Sequence, residues 1–365
     1  MLLELFALTL PFVPGEAESP KASASVALAA PSGAHEPQLA LDAERVFAVY
    51  GTEHTIELVI SGDCAKSFGE PVVVAKVEEL ALGMHRGPRI ACTKDAVVVT
   101  AIAGRKSAER AEELWSWRSS DHGAHWSEAL HVNTVDRSAR EGLHALAAGP
   151  DGRLFTSWID FDEGNSVLRG SSSTDGGASW TKPVLIYRSP EGSICACCAP
   201  ALAFDAKGTI GALWRNALDG ARDPYLALSR DGGQSWSTAE KVGVGTWKLK
   251  SCPMDGGVLV AVEQAGFLCA WRRERSLVQM LGPRAELEFA RGEGPSIACG
   301  PGGPWITWSE ARAGRLLLHQ PGAEQPLELD SSAIDGVLCA PLDGKGPVIA
   351  GWESGDGKLR VARVR

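Results

Sequence analysis

The chain has 365 residues, 44% hydrophobic and 22% charged, a balance that supports a buried core and excludes a disordered chain. Its formal net charge of -9, with no long basic run, argues against nucleic acid and anionic membrane surfaces as the main partner. No apolar stretch approaches the roughly 18 residues that span a bilayer as a helix.

In chain order, the first feature is an apolar run from Leu2 to Val13, broken only by Glu4 and followed by Pro14-Gly15-Glu16-Ala17-Glu18-Ser19-Pro20. It reads as a degenerate export signal that lacks the basic n-region; a frayed, non-structural N-terminus is the alternative. Nine cysteines are many for a reducing cytosol, and an oxidising compartment would account for them. Residues 1–30 are therefore read as leader or linker, with a strand at 22–30 available to join the last sheet. Residues 31–365 are read as one domain, secreted or periplasmic, and monomeric.

An internal repeat then organises the chain. Ser119-x-Asp121-x-Gly123-x-x-Trp126 recurs as Ser173-x-Asp175-x-Gly177-x-x-Trp180 and as Ser229-x-Asp231-x-Gly233-x-x-Trp236, with starts 54 and 56 residues apart. A degenerate copy with Ser61, Asp63 and Phe68 carries Ala65 where glycine belongs. The chemistry is that of a tight hairpin turn. Ser and Asp side chains bond the turn's own backbone, Gly takes positive φ, and Trp plugs the turn from beneath. Asp63, Asp121, Asp175 and Asp231, with Trp126, Trp180 and Trp236, are accordingly scaffold rather than catalytic groups.

A second mark extends past the last box. Short apolar runs end in tryptophan and turn polar at Trp158-Ile159-Asp160, Trp214-Arg215-Asn216, Trp271-Arg272-Arg273, Trp308-Ser309-Glu310 and Trp352-Glu353-Ser354. Val46–Tyr50 and Val97–Ala101 are the equivalent runs without tryptophan. Short strands and turn signals at this spacing predict an all-β propeller of four-stranded antiparallel blades. Counting the second strands favours seven blades, with six as the alternative.

At the boxes the chain resembles the sialidase-like superfamily of Asp-box, or BNR-repeat, propellers. That resemblance implies three arginines that hold a carboxylate, a tyrosine nucleophile activated by glutamate, and an aspartic general acid/base. The nearest match to the first arginine's segment is Arg89-Ile90-Ala91, and the only tyrosines are Tyr50, Tyr187 and Tyr225, none C-terminal. Ordinary sialidase activity is not expected on these residues. A narrower resemblance, to exported bacterial sialidase-like proteins, rests on Cys195-Ala196-Cys197-Cys198, Arg215-Asn216, Arg222-Asp223 and Cys252-Pro253-Met254-Asp255-Gly256. It implies a shared site without naming a reaction.

Propeller topology would gather these residues at one end of the sheets. First strands begin there with His85, Arg89, His144, Cys197, Cys198, Cys252 and Asp255; second strands end there with Asp160, Arg215, Asn216, Arg273 and Glu310. Arg89, Arg215, Asn216, Arg222 and Asp223 are candidate clamps for a small anionic ligand or glycan, or structural ion pairs. Asp160, Asp255 and Glu310 are the candidate catalytic carboxylates. The cysteines admit three readings. The Cys195–Cys198 segment could bond Cys252; Cys195, Cys197, Cys198 and Cys252 could bind copper or zinc with His85 or His144; or one thiol could be nucleophilic. A Cys64–Cys92 disulfide is also expected. Three functions stay open: a propeller with an axial ligand or metal site, a divergent glycoside hydrolase, and a protein-interaction scaffold.

Overall fold

The computed structural model describes residues 24–43, 45–105, 111–135, 138–139, 141–218, 221–243, 246–247, 258–262, 266–273, 276–281, 286–311 and 313–365. Among these residues every regular element is a strand, and every strand pairing is antiparallel. Among the described residues no helix is long and apolar enough to cross a membrane.

The first sheet runs His35–Asp42, Arg45–Gly51, Thr55–Ser61 and Val72–Lys76 in sequential order. The second is built on Arg89–Cys92, Val97–Arg105, Ala111–Ser119 and Leu130–His131, with Glu79–Leu80 added beside Val97–Arg105. The third is His144–Ala148, Leu154–Asp162, Asn165–Ser173 and Val184–Tyr187. The fourth uses Ala201–Phe204, Ile210–Leu218, Ala221–Ser229 and Glu240–Lys241, extended by Ser193–Ile194 and Thr246–Trp247. The fifth is Val258–Val262, Gly266–Arg273, Ser276–Leu281 and Glu286–Arg291.

The last sheet holds seven strands, because Leu327–Cys339 belongs to two strand groups at once. Its first half pairs with Gly314–His319, behind Gly303–Ser309 and Glu293–Gly300. Its second half, from Ala333, pairs with Ile349–Ser354, and Leu359–Arg363 follows. Val26–Ala27 then pairs with Leu359–Arg363, so the first described strand joins the last in one sheet. First strands touch in succession around the molecule, and the end of Leu327–Cys339 returns against His35–Asp42.

The core lies between sheets, face to face. Phe47, Val49, Ile56 and Leu58 of the first sheet pack on Val97, Val99 and Ala101 of the second. Phe155, Ile159 and Leu168 of the third pack on Ile210, Ala212 and Trp214 of the fourth. Val46, Ala48 and Tyr50 meet Ile349, Leu359 and Val361, with Leu28 beside them. Second strands are thus covered on both faces. This is why Val46–Tyr50 reads as a continuous apolar run instead of an alternating one. Burying a Val, Leu or Phe of this kind contributes roughly 1.5–3 kcal/mol, so the layers between sheets dominate the stability.

The three complete boxes reach from the second, third and fourth sheets to the sheet before each. Ser119 donates to Asp121 Oδ1 at 2.8 Å and accepts from Gly123 N–H, while Asp121 accepts from His125 N–H. The same bonds recur at Ser173 and Asp175 and at Ser229 and Asp231. The degenerate first copy makes them too, with Ala65 N–H donating to Ser61. It does so with Cys64 and Ala65 at φ 57° and 65°, where the second box has His122 at 58° and Gly123 at 90°. Trp126 and Trp236 each donate to the carbonyl of their own box glycine, whereas Trp180 donates to Ser116 of the preceding sheet. A Cβ on Gly123, Gly177 or Gly233 would strike Leu58, Val98 or Phe155, each one sheet earlier.

Candidate functional site

Strand register fixes which residues share an end. In the fourth sheet Ile210 lies opposite Ser229 and Phe204, so the box turn sits at that end. Ile194 lies opposite Asn216, and Cys195 N–H donates to Arg215 O at 2.8 Å, which puts the cysteines at the other end. His144 opposite Trp158, and Arg89 opposite Thr100, occupy that same end of the third and second sheets. Cys252 and Asp255 lie outside the described residues.

The cysteine turn is compact. Ser193–Ile194 holds its entry against the second strand, and Cys198 N–H donates back to Cys195 O at 3.3 Å. Cys195 Sγ lies 3.3 Å from Cys197 Sγ and 3.3 Å from Cys198 Sγ. All three sulfurs fall within 4.8 Å of one another. Cys195 and Cys198 are buried; Cys197 is half-buried. Among the described residues no histidine or carboxylate joins this group within that distance.

Arg215 meets the turn through its backbone carbonyl, and its side chain ties the fourth sheet to the fifth. It is fully buried, and its guanidinium donates to Arg222 O at 2.9 Å and to Arg272 O at 2.5 Å, the latter on the next sheet. Asn216 donates to Tyr187 Oη and Ser189 Oγ, while its own Oδ1 is buried without a partner among the described atoms. Asp223 pairs with Lys241 at 2.5 Å, and Arg222 donates to Ala221 O. Arg89 is caged by its own loop, donating to the carbonyls of His85, Arg86, Gly87 and Pro88.

His144 is fully buried, with Nε2 at 3.1 Å from Thr100 Oγ1 and 3.2 Å from Thr100 O. Burial first, and then the neighbouring Arg89 charge, hold its pKa well below 6.5, so the imidazole is neutral. Its Nδ1 has no partner among the described atoms. His85 is half-buried at φ 62°, and its N–H donates to Glu36.

The carboxylates differ sharply. Asp160 is 3% exposed, and burial raises its pKa despite Ser138, Phe161 N–H and Arg169. Arg169 Nε approaches Asp160 Oδ2 to 2.8 Å, a close ion pair outside hydrogen-bond alignment. Arg169 and Arg188 also grip Asp162. Glu310 is exposed instead, clasped by Arg315 at 2.6 and 2.8 Å, which holds its pKa down. The structure thus brings the cysteines, Arg215 and Asn216 together, sets His144 and Arg89 side by side, and leaves Glu310 on the surface.

No disulfide joins the described cysteines. The expected Cys64–Cys92 bond is absent: Cys92 is instead close enough to Cys339 and Asp42 for their charges to raise its pKa further, beyond the effect of burial. Burial pushes the half-buried Cys339 and the core thiol Cys269 up to about 12. A polar cleft bordered by Asp42, Lys94, Asp95 and His122 opens at the box end, away from the cysteines.

One pairing escaped the sequence reading. Tyr50 lies opposite Glu57 and donates to its carboxylate at 3.0 Å. The short connection from Gly51 to Thr55 would have predicted that register. Tyr50 is fully buried and its pKa is raised by burial and by Glu57, so this pair is a core strut.

No protein-family profile and no curated protein matches the sequence. Solved structures do resemble it in shape. An α-L-arabinanase from Penicillium chrysogenum complexed with arabinobiose superposes with a TM-score of 0.55 at 12% identity, covering 94% of this chain and 98% of the other. A Hadza microbial sialidase gives 0.53 at 14% identity, over 87% and 73% of the two chains. An intramolecular trans-sialidase from Ruminococcus gnavus gives 0.52 at 12%, over 90% and 94%. The chain therefore carries the sialidase-like β-propeller fold.

Proposed function

We propose that this chain is an exported, monomeric propeller, formed by residues 31–365 and closed by the strand at 26–27, whose binding site lies at the end opposite the Asp boxes. In this reading the ring has seven blades, supported by the succession of first strands and by the division of Leu327–Cys339 between two strand groups. The site's centre is the Cys195-Cys197-Cys198 turn, which takes a copper or zinc ion. One observation carries this: three thiols within 4.8 Å of one another on one turn. Thiolate donors select copper(I) and zinc over hard cations, and metal–sulfur bonds of about 2.3 Å need only side-chain rotation from that starting arrangement. Cys252 is the added ligand in this reading. The backbone of Arg215 and Asn216 pairs with the entry to the turn, Arg89, Arg222 and Asp223 stand around the same end, and His85 and His144 lie outside the sulfur group.

Anaerobic titration of the reduced chain with cobalt(II), then displacement by zinc, tests the reading. Intense sulfur-to-cobalt charge-transfer bands at one equivalent are expected. Their absence, with no copper or zinc bound, would overturn it.

A glycoside-cleaving function is the second reading, favoured by Asp160. A buried carboxyl with a raised pKa has the character of a general acid, and the similar folds include enzymes named for sialic-acid and arabinose chemistry. Release of fluorophore from sialosides or α-L-arabinosides, lost in Asp160→Asn, would establish it. Retention of that activity in Asp160→Asn would remove Asp160 from the chemistry.

A further inference from the structure

We infer that the cysteine turn is also a thiol–disulfide exchange centre, a three-sulfur relay that passes oxidation from the surface into the core. The inference rests on reading this turn as the functional centre, and it adds an activity and a substrate class: small-molecule disulfides.

The observations are positional. Cys195 Sγ is shared, at 3.3 Å from both Cys197 Sγ and Cys198 Sγ. Each contact is about 1.3 Å longer than a disulfide bond of about 2.05 Å, so a small rotation closes either one. Burial grades the three: Cys197 is half-buried, while Cys195 and Cys198 are 2% and 1% exposed. An external disulfide therefore meets Cys197 first. Cys195 and Cys198 form a C-x-x-C pair bridged by the Cys198 N–H to Cys195 O bond. That turn keeps the two sulfurs on one side of the backbone and gives the final disulfide a closed, water-poor site.

The chemistry balances in three exchanges. The Cys197 thiolate attacks one sulfur of an external disulfide, forming a mixed disulfide and expelling the first small thiolate. The Cys195 thiolate attacks Cys197 Sγ, expels the second small thiolate and forms Cys195–Cys197. The Cys198 thiolate then attacks Cys195 Sγ, restoring the Cys197 thiolate and leaving Cys195–Cys198. Two cysteine thiols are oxidised and give up two protons. The external disulfide takes two electrons and those protons, leaving as two thiols. Metal held by the same sulfurs blocks every step, so loading and oxidation exclude each other.

The test uses the full reduced chain and oxidised glutathione, with rapid alkylation and peptide mass mapping. In the wild-type chain a transient glutathione adduct at Cys197 should give way to Cys195–Cys198. Cys195→Ser should stop at the Cys197 adduct, and Cys198→Ser should stop at Cys195–Cys197. Cys197→Ser should slow oxidation by about tenfold or more, since only buried thiols remain to attack. The wild-type time course makes the same assignment if a serine variant fails to fold. A first adduct on Cys195 or Cys198, or no disulfide after glutathione treatment, overturns the relay. Zinc and copper uptake is measured on the same reduced sample beforehand. Metal bound with no disulfide formed sinks the relay alone, and disulfide formed without metal uptake sinks the metal reading alone.

Discussion

Gly233→Ala probes the joint between box and preceding sheet. Gly233 sits at φ 93°, a conformation that costs an alanine about 1–2 kcal/mol. Its new Cβ would lie 2.2 Å from Phe155 Cε2 and 2.7 Å from Cδ2. Phe155 cannot retreat: it is fully buried, its ring centroid lies 5.4 Å from that of Trp236, and Gly170 closes its far side. Overpacking of this kind costs about 1–3 kcal/mol, and the stiffer unfolded chain returns only about 0.4–1 kcal/mol. The net destabilisation should be about 2–4 kcal/mol, read as a lower urea midpoint at unchanged slope. The equivalent first-box position supplies the control, because Ala65 already sits at φ 65° and 2% exposure. Ala65→Gly should change stability by no more than about 1 kcal/mol, since relieved strain and added chain entropy oppose each other. A Gly233→Ala chain within about 0.5 kcal/mol of wild type would refute the reasoning, given the ordinary scatter of neutral substitutions.

Three further outcomes follow from named groups. Asp231 has its pKa lowered from 3.8 to about 2, chiefly by Ser235, so its contribution is present above pH 3.8 and lost as pH falls towards 2; Asp231→Asn should flatten that part of the acid unfolding curve, and an unchanged slope would contradict it. His144 is held neutral, so the unfolded chain takes up its proton first and stability declines as pH drops below 6.5; its imidazole resonances should stay in the neutral form at pH 5.5, and protonation there would refute the assignment. Arg215→Ala removes bonds to two carbonyls on different sheets, and at about 1.5–3 kcal/mol per charge-assisted bond it should cost about 3 kcal/mol or more in chemical denaturation; a loss under about 1 kcal/mol would show that the guanidinium is not a brace.

What was legible in the sequence was what local chemistry determines. The boxes could be read because Ser, Asp and the turn backbone satisfy one another within a few residues. The first copy kept that pattern although Ala65 replaces glycine. The tryptophan runs could be read because strands covered on both faces are apolar without alternation. Sheet membership of Leu327–Cys339 could not be read, because a strand shared by two groups depends on where its neighbours lie. Arg215 was read as an anion clamp or as part of a structural ion pair; its guanidinium is directed to carbonyls, one of them 57 residues away, which no local pattern reveals. The same limit applies to Glu310, whose exposure and Arg315 partner follow from the loop it lies on. Cys195, Cys197 and Cys198 were legible as a group because a four-residue turn leaves their sulfurs little room to separate.

The central claim is that the Cys195-Cys197-Cys198 turn binds a soft metal. X-ray absorption of the chain loaded with one equivalent of copper(I) or zinc measures that directly. The account predicts at least three sulfur neighbours at about 2.3 Å from the ion, with the sulfur shell lost in the Cys195→Ser, Cys198→Ser double variant. A first shell made only of nitrogen and oxygen, or a sulfur shell that survives the double substitution, would contradict it.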